Sequence, residues 1–120
     1  MPIWSLPTRD VQPQIALARW AVTRVRIGAQ SADLLHGFDL INHCGRVSMA
    51  VFGVEPGTGR VWTHSGRAYV LEGPPGLDED GLYVFSRQIS GLSSPKLTDV
   101  TAYYVAQIAR AREQSSGDAT

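Results

Sequence analysis

The sequence predicts an α+β domain, a small antiparallel β-meander followed by two C-terminal helices, and three observations carry that reading. Residues 46–73, RVSMAVFGVEPGTGRVWTHSGRAYVLEG, hold three runs rich in Val and aromatic residues, separated by the turn compositions PGTG and SG. Beyond Pro74-Pro75-Gly76 the apolar residues change from a period of two to helical spacing. The chain has 120 residues, 43% of them apolar and 18% charged, which is one domain's worth and enough to bury a core.

The elements follow in order. MPIWSLPTRDVQPQ, residues 1–14, carries Pro2, Pro7 and Pro13, each fixing φ and removing a donor, so an extended arm is expected. Trp4 is anchored only if that arm docks on the body. The single domain then spans 15–112. Thr23, Val25 and Ile27 alternate with Arg24 and Arg26, predicting a strand over about 18–27, whereas Ile15, Leu17, Trp20 and Val25 fit a helix only loosely. Residues 31–45, SADLLHGFDLINHCG, read either way. A helix uses Leu34, Leu35, Phe38 and Ile41 but places Gly37 mid-segment, at a cost near 1 kcal/mol. A strand puts Leu34, His36, Phe38 and Leu40 on one face, and it is the favoured reading.

Strands are expected at 47–54, 60–64 and 67–72. Asp78, Glu79 and Asp80 place negative charge where a helix N-terminus wants it, and Leu82, Phe85 and Ile89 extend that helix over about 78–90. The loop GLSSPKL leads to Thr98 or Asp99 as an N-cap. A second helix follows over 99–112, with Val100, Tyr104 and Ile108 as its apolar stripe. Residues 113–120 read as a flexible polar tail.

Register arithmetic locates a candidate surface. Counting outward from a two-residue Ser65-Gly66 turn pairs His64 with Arg67, Thr63 with Ala68, Trp62 with Tyr69 and Val61 with Val70. Counting from the Pro56–Gly59 loop pairs Glu55 with Arg60, Val54 with Val61, Gly53 with Trp62 and Phe52 with Thr63. The two registers agree in placing Phe52, Val54, Val61, Thr63, Ala68 and Val70 on one face, the expected core. Val51, Gly53, Glu55, Arg60, Trp62, His64, Arg67, Tyr69 and Leu71 then share the other face. Arg60, Trp62, His64, Arg67 and Tyr69 are the candidate partner-binding residues, because Tyr, Trp and Arg are enriched at interface hot spots. The competing reading covers this face with a terminal helix and buries Trp62 over Gly53.

Charge and motifs narrow the function classes. Basic and acidic side chains balance at 11 each, so no net field concentrates nucleic acid or an anionic membrane. The N-terminus lacks a signal-like apolar core, and no run approaches the roughly 18 apolar residues of a membrane span. The single Cys44 has no partner for an internal disulfide. A cytoplasmic protein without membrane contact is the expectation. His43 and Cys44 are adjacent, but neighbours on a strand point to opposite faces, which disfavours a nucleophile and base pair. His36, Asp39 and His43 share a face only on the disfavoured helix and lack a fourth ligand, so no metal is expected. GPPG and PGTG have no Lys-Ser/Thr sequel, so they are turns and no cofactor is expected.

GRVWTHSGRAYVLEGPPGLDEDGLYVF followed by LTDVT resembles a class of small proteobacterial proteins, often from phages and mobile elements. These pair a T-x-S-G-R-x-Y-x-L-x-G-P-P-G hairpin with a downstream helix. The resemblance runs from Gly45 to Thr101 and implies a mobile-element setting, where small single-domain proteins frequently bind and block a host complex. The expected function is a non-enzymatic binding protein that inhibits or modulates a host macromolecular complex, with anti-CRISPR or other anti-defence activity as its concrete form. The alternative is a nucleic-acid-binding regulator using the Arg, Trp and Tyr face. A Cys-dependent enzyme is the remote third.

Overall fold

Strand β1, Gln14–Ile27, organises the sheet, and the computed structural model describes the chain from here to Asp118, with side chains through Glu113. The arm expected at 1–14 lies outside the described residues except for Gln14, which opens β1. Arg19 adopts a left-handed φ of 46°, and the pairing register shifts between Ala18 and Ala21. This bulge inserts one residue, so Ile15, Leu17, Trp20 and Val22 all bury on the same side of one long strand.

The remaining strands are β2 Gln30–Asp39, β3 Cys44–Val47, β4 Val51–Val54, β5 Val61–Thr63, β6 Ala68–Glu72 and β7 Lys96–Asp99. Helix α1 covers Glu79–Ile89 and α2 covers Thr101–Asp118. The order across the sheet is β3-β2-β1-β6-β5-β4, with β7 also on β1. The α+β class with two late helices therefore stands, but the sheet is mixed: β6 runs parallel to β1, Ile15 opposite Tyr69 and Leu17 opposite Leu71. The ambiguous segment 31–45 is extended, as favoured.

Several boundaries differ from the sequence reading. The strand expected at 47–54 is two strands, because the paired ladder with β2 ends at Val47, Ser48 makes the last bonds to β2, and the chain then turns to join β5. The Ser48 amide donates to the Leu35 carbonyl at 2.7 Å, while the His64 amide donates to the Ala50 carbonyl at 2.9 Å. The two edge strands are thus consecutive in sequence, and the sheet curls toward closure around the core. Strand β7, Lys96–Asp99, takes the end of the expected loop together with the expected Thr98 or Asp99 cap, so the helix expected from 99 starts at Thr101, and α2 continues through Asp118 into the expected tail.

The inner face of the curl holds Ile15, Leu17, Trp20, Val22, Leu35, Val61, Tyr69 and Leu71, closed by Tyr104 and Ile108 of α2. Helix α2 is tied to β1 by the Val100 amide on the Val22 carbonyl at 2.9 Å and by the Val22 amide on Thr101 Oγ1 at 3.0 Å. The Tyr104 hydroxyl donates to Asp33, which also accepts from Arg24 Nε at 2.7 Å. Among the described residues no helix is long and apolar enough to cross a membrane.

Helix α1 packs outside the curl, on β2 and β3. Asp78 caps it, accepting from the Gly81 amide at 2.9 Å and pairing with Arg19. Main chain meets main chain here: a Cβ at Gly81 would lie 2.7 Å from the Gly37 carbonyl oxygen, and one at Gly45 would enter the Asp80 backbone. No flexible side chain can swing aside at either contact. Gly45→Ala is accordingly expected to cost about 2–3 kcal/mol by urea unfolding, and an unchanged midpoint would refute the close approach.

Phe85 of α1 lies over His36, ring centroids 4.7 Å apart, and His36 Nε2 meets Thr23 Oγ1 at 2.9 Å. Burial lowers the His36 pKa, with Asp99 partly opposing it. The folded state thus holds fewer protons than the unfolded chain, whose histidine titrates near 6.5. Stability from neutral His36 is full above about pH 6.5 and is lost as pH falls toward the lower folded value. Urea midpoints should drop between pH 7.5 and 5.5 in the native chain, and the drop should shrink in His36→Gln. An equal drop in both would clear His36 of the effect.

Candidate functional site

The outer face of β4, β5 and β6 has no described helix over it, and its relief comes from the β4–β5 hairpin. The Glu55 amide donates to the Arg60 carbonyl at 2.7 Å, and Gly57 and Gly59 take φ of 95° and 77° to close the loop. The Gly57 amide reaches the Ala111 carbonyl at 2.9 Å, so α2 braces the loop. Arg60 Nε donates to Glu55 Oε1 at 2.7 Å and Thr58 Oγ1 donates to the same oxygen at 2.6 Å. These bonds, with a smaller contribution from the Trp62 indole, pull the Glu55 pKa down to about 2.

Trp62 stands opposite Gly53 on one side and Ala68 on the other. A Cβ at Gly53 would meet nothing within 4 Å, so one flank of the indole faces open space. The Arg60 guanidinium lies 5.5 Å from the Trp62 ring centroid and also donates to Gln14 Oε1. The register slips between Val51 and Gly53, and Phe52 at this irregularity is 72% exposed. Its ring meets the His64 ring edge-on, centroids 5.3 Å apart. Phe52, Glu55 and Pro56 on one side and Trp62, His64 and Gly66 on the other enclose a groove of about 570 Å³. That is ordinary size for a site that takes a small ligand or a few side chains.

Two of the five expected partner-binding residues, Trp62 and His64, line this groove, and a third, Arg60, lies over the Trp62 ring beside it. Tyr69 and Arg67 do not. The β5–β6 turn has three residues rather than two: the Thr63 amide donates to the Arg67 carbonyl at 3.1 Å, and Gly66 has a φ of 86°. Trp62 therefore pairs with Ala68, and Val61 with Tyr69. The one-residue shift sends Tyr69 and Leu71 into the core, where Tyr69 is 3% exposed, and moves Ala68 and Val70 to the outer face. Arg67 alternates with Ala68 and so falls on the inner side with Tyr69. Burial raises the Tyr69 pKa, against the pull of Arg46.

Phe52, assigned to the core from sequence, is an exposed wall of the groove. Its neighbour Gly53 was the available signal, since an isolated glycine inside a strand pattern marks a bulge. The helix expected to cover Trp62 in the competing reading instead packs on the inner face, and Trp62 is half-buried. Cys44 is exposed at the start of β3. Among the described residues no group of three or more His, Cys, Asp or Glu side chains is arranged to hold a metal. No family model, curated protein or solved structure matches the chain.

Proposed function

We propose that the protein is a non-enzymatic binding module that receives a segment of a partner protein in the Phe52–Trp62–His64 groove. The observation that carries this reading is the exposed Phe52 beside a half-buried Trp62, on a sheet face that no described helix covers. An exposed aromatic wall over a rigid strand scaffold loses little side-chain entropy on binding and offers apolar area to a partner. The resemblance to mobile-element proteins directs the reading to a host macromolecular complex as the partner and to inhibition, in an anti-defence role, as the consequence.

The nucleic-acid reading is weaker at this site. Arg60 is already paired with Glu55, so a phosphate approaching Arg60 meets a carboxylate as well. Arg67, the other expected cation, falls on the opposite side of the strand. The test begins with proteins retained by the tagged chain in its own cells and lost by Phe52→Ala. The isolated partner should then bind Phe52→Ala at least tenfold more weakly, about 1.4 kcal/mol. Stability of the variant should stay within about 0.5 kcal/mol, because Phe52 contributes little to the core. Equal affinity for both chains would remove the groove from the interface.

A further inference from the structure

Helix α2 carries a second row beside the one that faces the core. Tyr104, Ile108 and Ala111 bury against the sheet, while Val105, Ile108, Ala109 and Arg112 recur at i, i+3, i+4 and i+7 and line one side of a crevice next to the Pro74-Pro75 turn. The crevice has a volume of about 250 Å³, with the buried Trp20 and Ile108 at its floor and the exposed Pro74, Pro75 and Val105 around its mouth. The GPPG stretch, a plain turn in the sequence, thus supplies one of its walls.

That wall is fixed in place. Gly73 takes a left-handed φ of 69°, the Trp20 indole Nε1 donates to the Gly73 carbonyl at 3.2 Å, and the Gly76 amide donates to the Trp20 carbonyl at 2.9 Å, so both ends of the turn are tied to one residue of β1. Pro74 and Pro75 have no N–H, and the indole N–H is already spent. An apolar body entering the crevice therefore strands no donor of these three residues when it displaces water.

The chemistry changes at one end. Arg112 is the one charged residue among those described that line the crevice; it is exposed, and it forms no ion pair with another described residue. Its side chain runs along the β4–β5 loop, where a Cβ at Gly59 would lie 2.9 Å from Arg112 Nε and 3.2 Å from its Cγ. A free planar guanidinium beside uncharged apolar walls is complementary to a carboxylate, which it holds by two parallel charge-assisted bonds. The volume lies just under the range of about 300–1,000 Å³ for sites that take drug-sized ligands, so it admits one ring or a short chain and is too small for a peptide segment. We propose that this crevice is a second binding site, sharing no lining residue with the Phe52–Trp62–His64 groove, and that it takes a small organic monocarboxylate, its ring or alkyl body against Pro74, Pro75 and Ile108 and its carboxylate on Arg112.

The test is a titration of the full isotope-labelled chain with phenylacetate, with hexanoate and with the neutral amide of each, followed by NMR at the backbone amides and the tryptophan indoles. At least one acid should shift the Trp20 indole and the Val105 and Ala109 amides along a saturable curve, and its amide should bind about tenfold more weakly. Arg112→Gln should weaken the acid by about the same factor with an unchanged urea midpoint, and Arg112→Lys should recover part of the affinity. Ala109→Trp, which fills the crevice and leaves the charge in place, should abolish binding, whereas Phe52→Ala should bind the acid like the native chain. No saturable shift from either acid, equal affinity for acid and amide, full affinity in Arg112→Gln or Ala109→Trp, or loss of affinity in Phe52→Ala would each overturn the proposal. The partner titration at the groove involves none of these lining residues, so the two sites stand or fall separately.

Discussion

Asp39→Ala is expected to cost about 3 kcal/mol of stability, the largest loss of any single side-chain truncation considered. Asp39 is 0% exposed, and its two oxygens accept four bonds: from the amides of Ile41 and Asn42 at 2.8 and 2.9 Å, from Asn42 Nδ2 at 2.7 Å and from Arg46 Nε at 2.8 Å. Burial pushes its pKa up, but the bonds from Asn42, Arg46 and Ile41 together outweigh it and hold the pKa below the usual range. Truncation leaves a guanidinium and two turn amides without their acceptor. Breaking a buried pair from one side typically costs about 3–5 kcal/mol, and the lower end applies because Arg46 keeps 26% of its side chain exposed.

The loss would reach the groove as well. Asp39 closes the β2–β3 turn, β3 leads through Ser48–Ala50 into β4, and β4 carries Phe52. Urea unfolding of Asp39→Ala and Asp39→Asn separates shape from charge: Asn still offers one acceptor to the turn amides and should retain part of the stability. A folded carboxyl pKa below its unfolded value contributes stability that is full above about pH 4 and is lost as pH falls below it. Asp39→Ala should therefore flatten the acid limb, although Asp33 and Asp99, also lowered, keep part of it. A midpoint within 1 kcal/mol of the native chain would show that this cluster does not hold the turn.

Trp62→Ala is expected to weaken partner binding about thirtyfold, or about 2 kcal/mol, the largest binding effect of any groove residue. The indole forms the groove floor, carries the Arg60 guanidinium and shields Ala68, which is fully buried. Because Trp62 is only half-buried, its stability cost should be about 2 kcal/mol, below the 3–5 kcal/mol of a fully buried tryptophan. The folded fraction must therefore be measured alongside affinity. Arg67→Ala is the paired control: it lies on the other side of the hairpin and should bind like the native chain. If Arg67→Ala lost as much affinity as Trp62→Ala, the interface would have to include the β5–β6 turn as a whole rather than the groove.

The elements themselves were readable from the sequence because their signals are local. Val-rich runs between PGTG and SG mark β5 and β6, Asp78 caps α1, and the Val100, Tyr104 and Ile108 stripe faces the core from α2. Alternation likewise sufficed for Arg60, Trp62 and His64, which sit within one strand and its immediate ends. Residues a turn apart were another matter. A two-residue Ser65-Gly66 turn and a three-residue His64-Ser65-Gly66 turn are both consistent with the same letters, and they differ by one step of register.

Only the tertiary structure chose between them. Putting Tyr69 opposite Val61 lets it bury against Ile15 in the parallel ladder, and it places Leu71 beside Leu17. That gain depends on β1, more than fifty residues away in sequence, and no local pattern reports it. The same holds for the slip that turns Phe52 outward and for the curl that makes β3 and β4 opposite edges of one sheet. Local propensity determines which segments are strands and helices. Which face of a strand is buried depends on pairing with distant strands, and a shift of one residue exchanges core for surface.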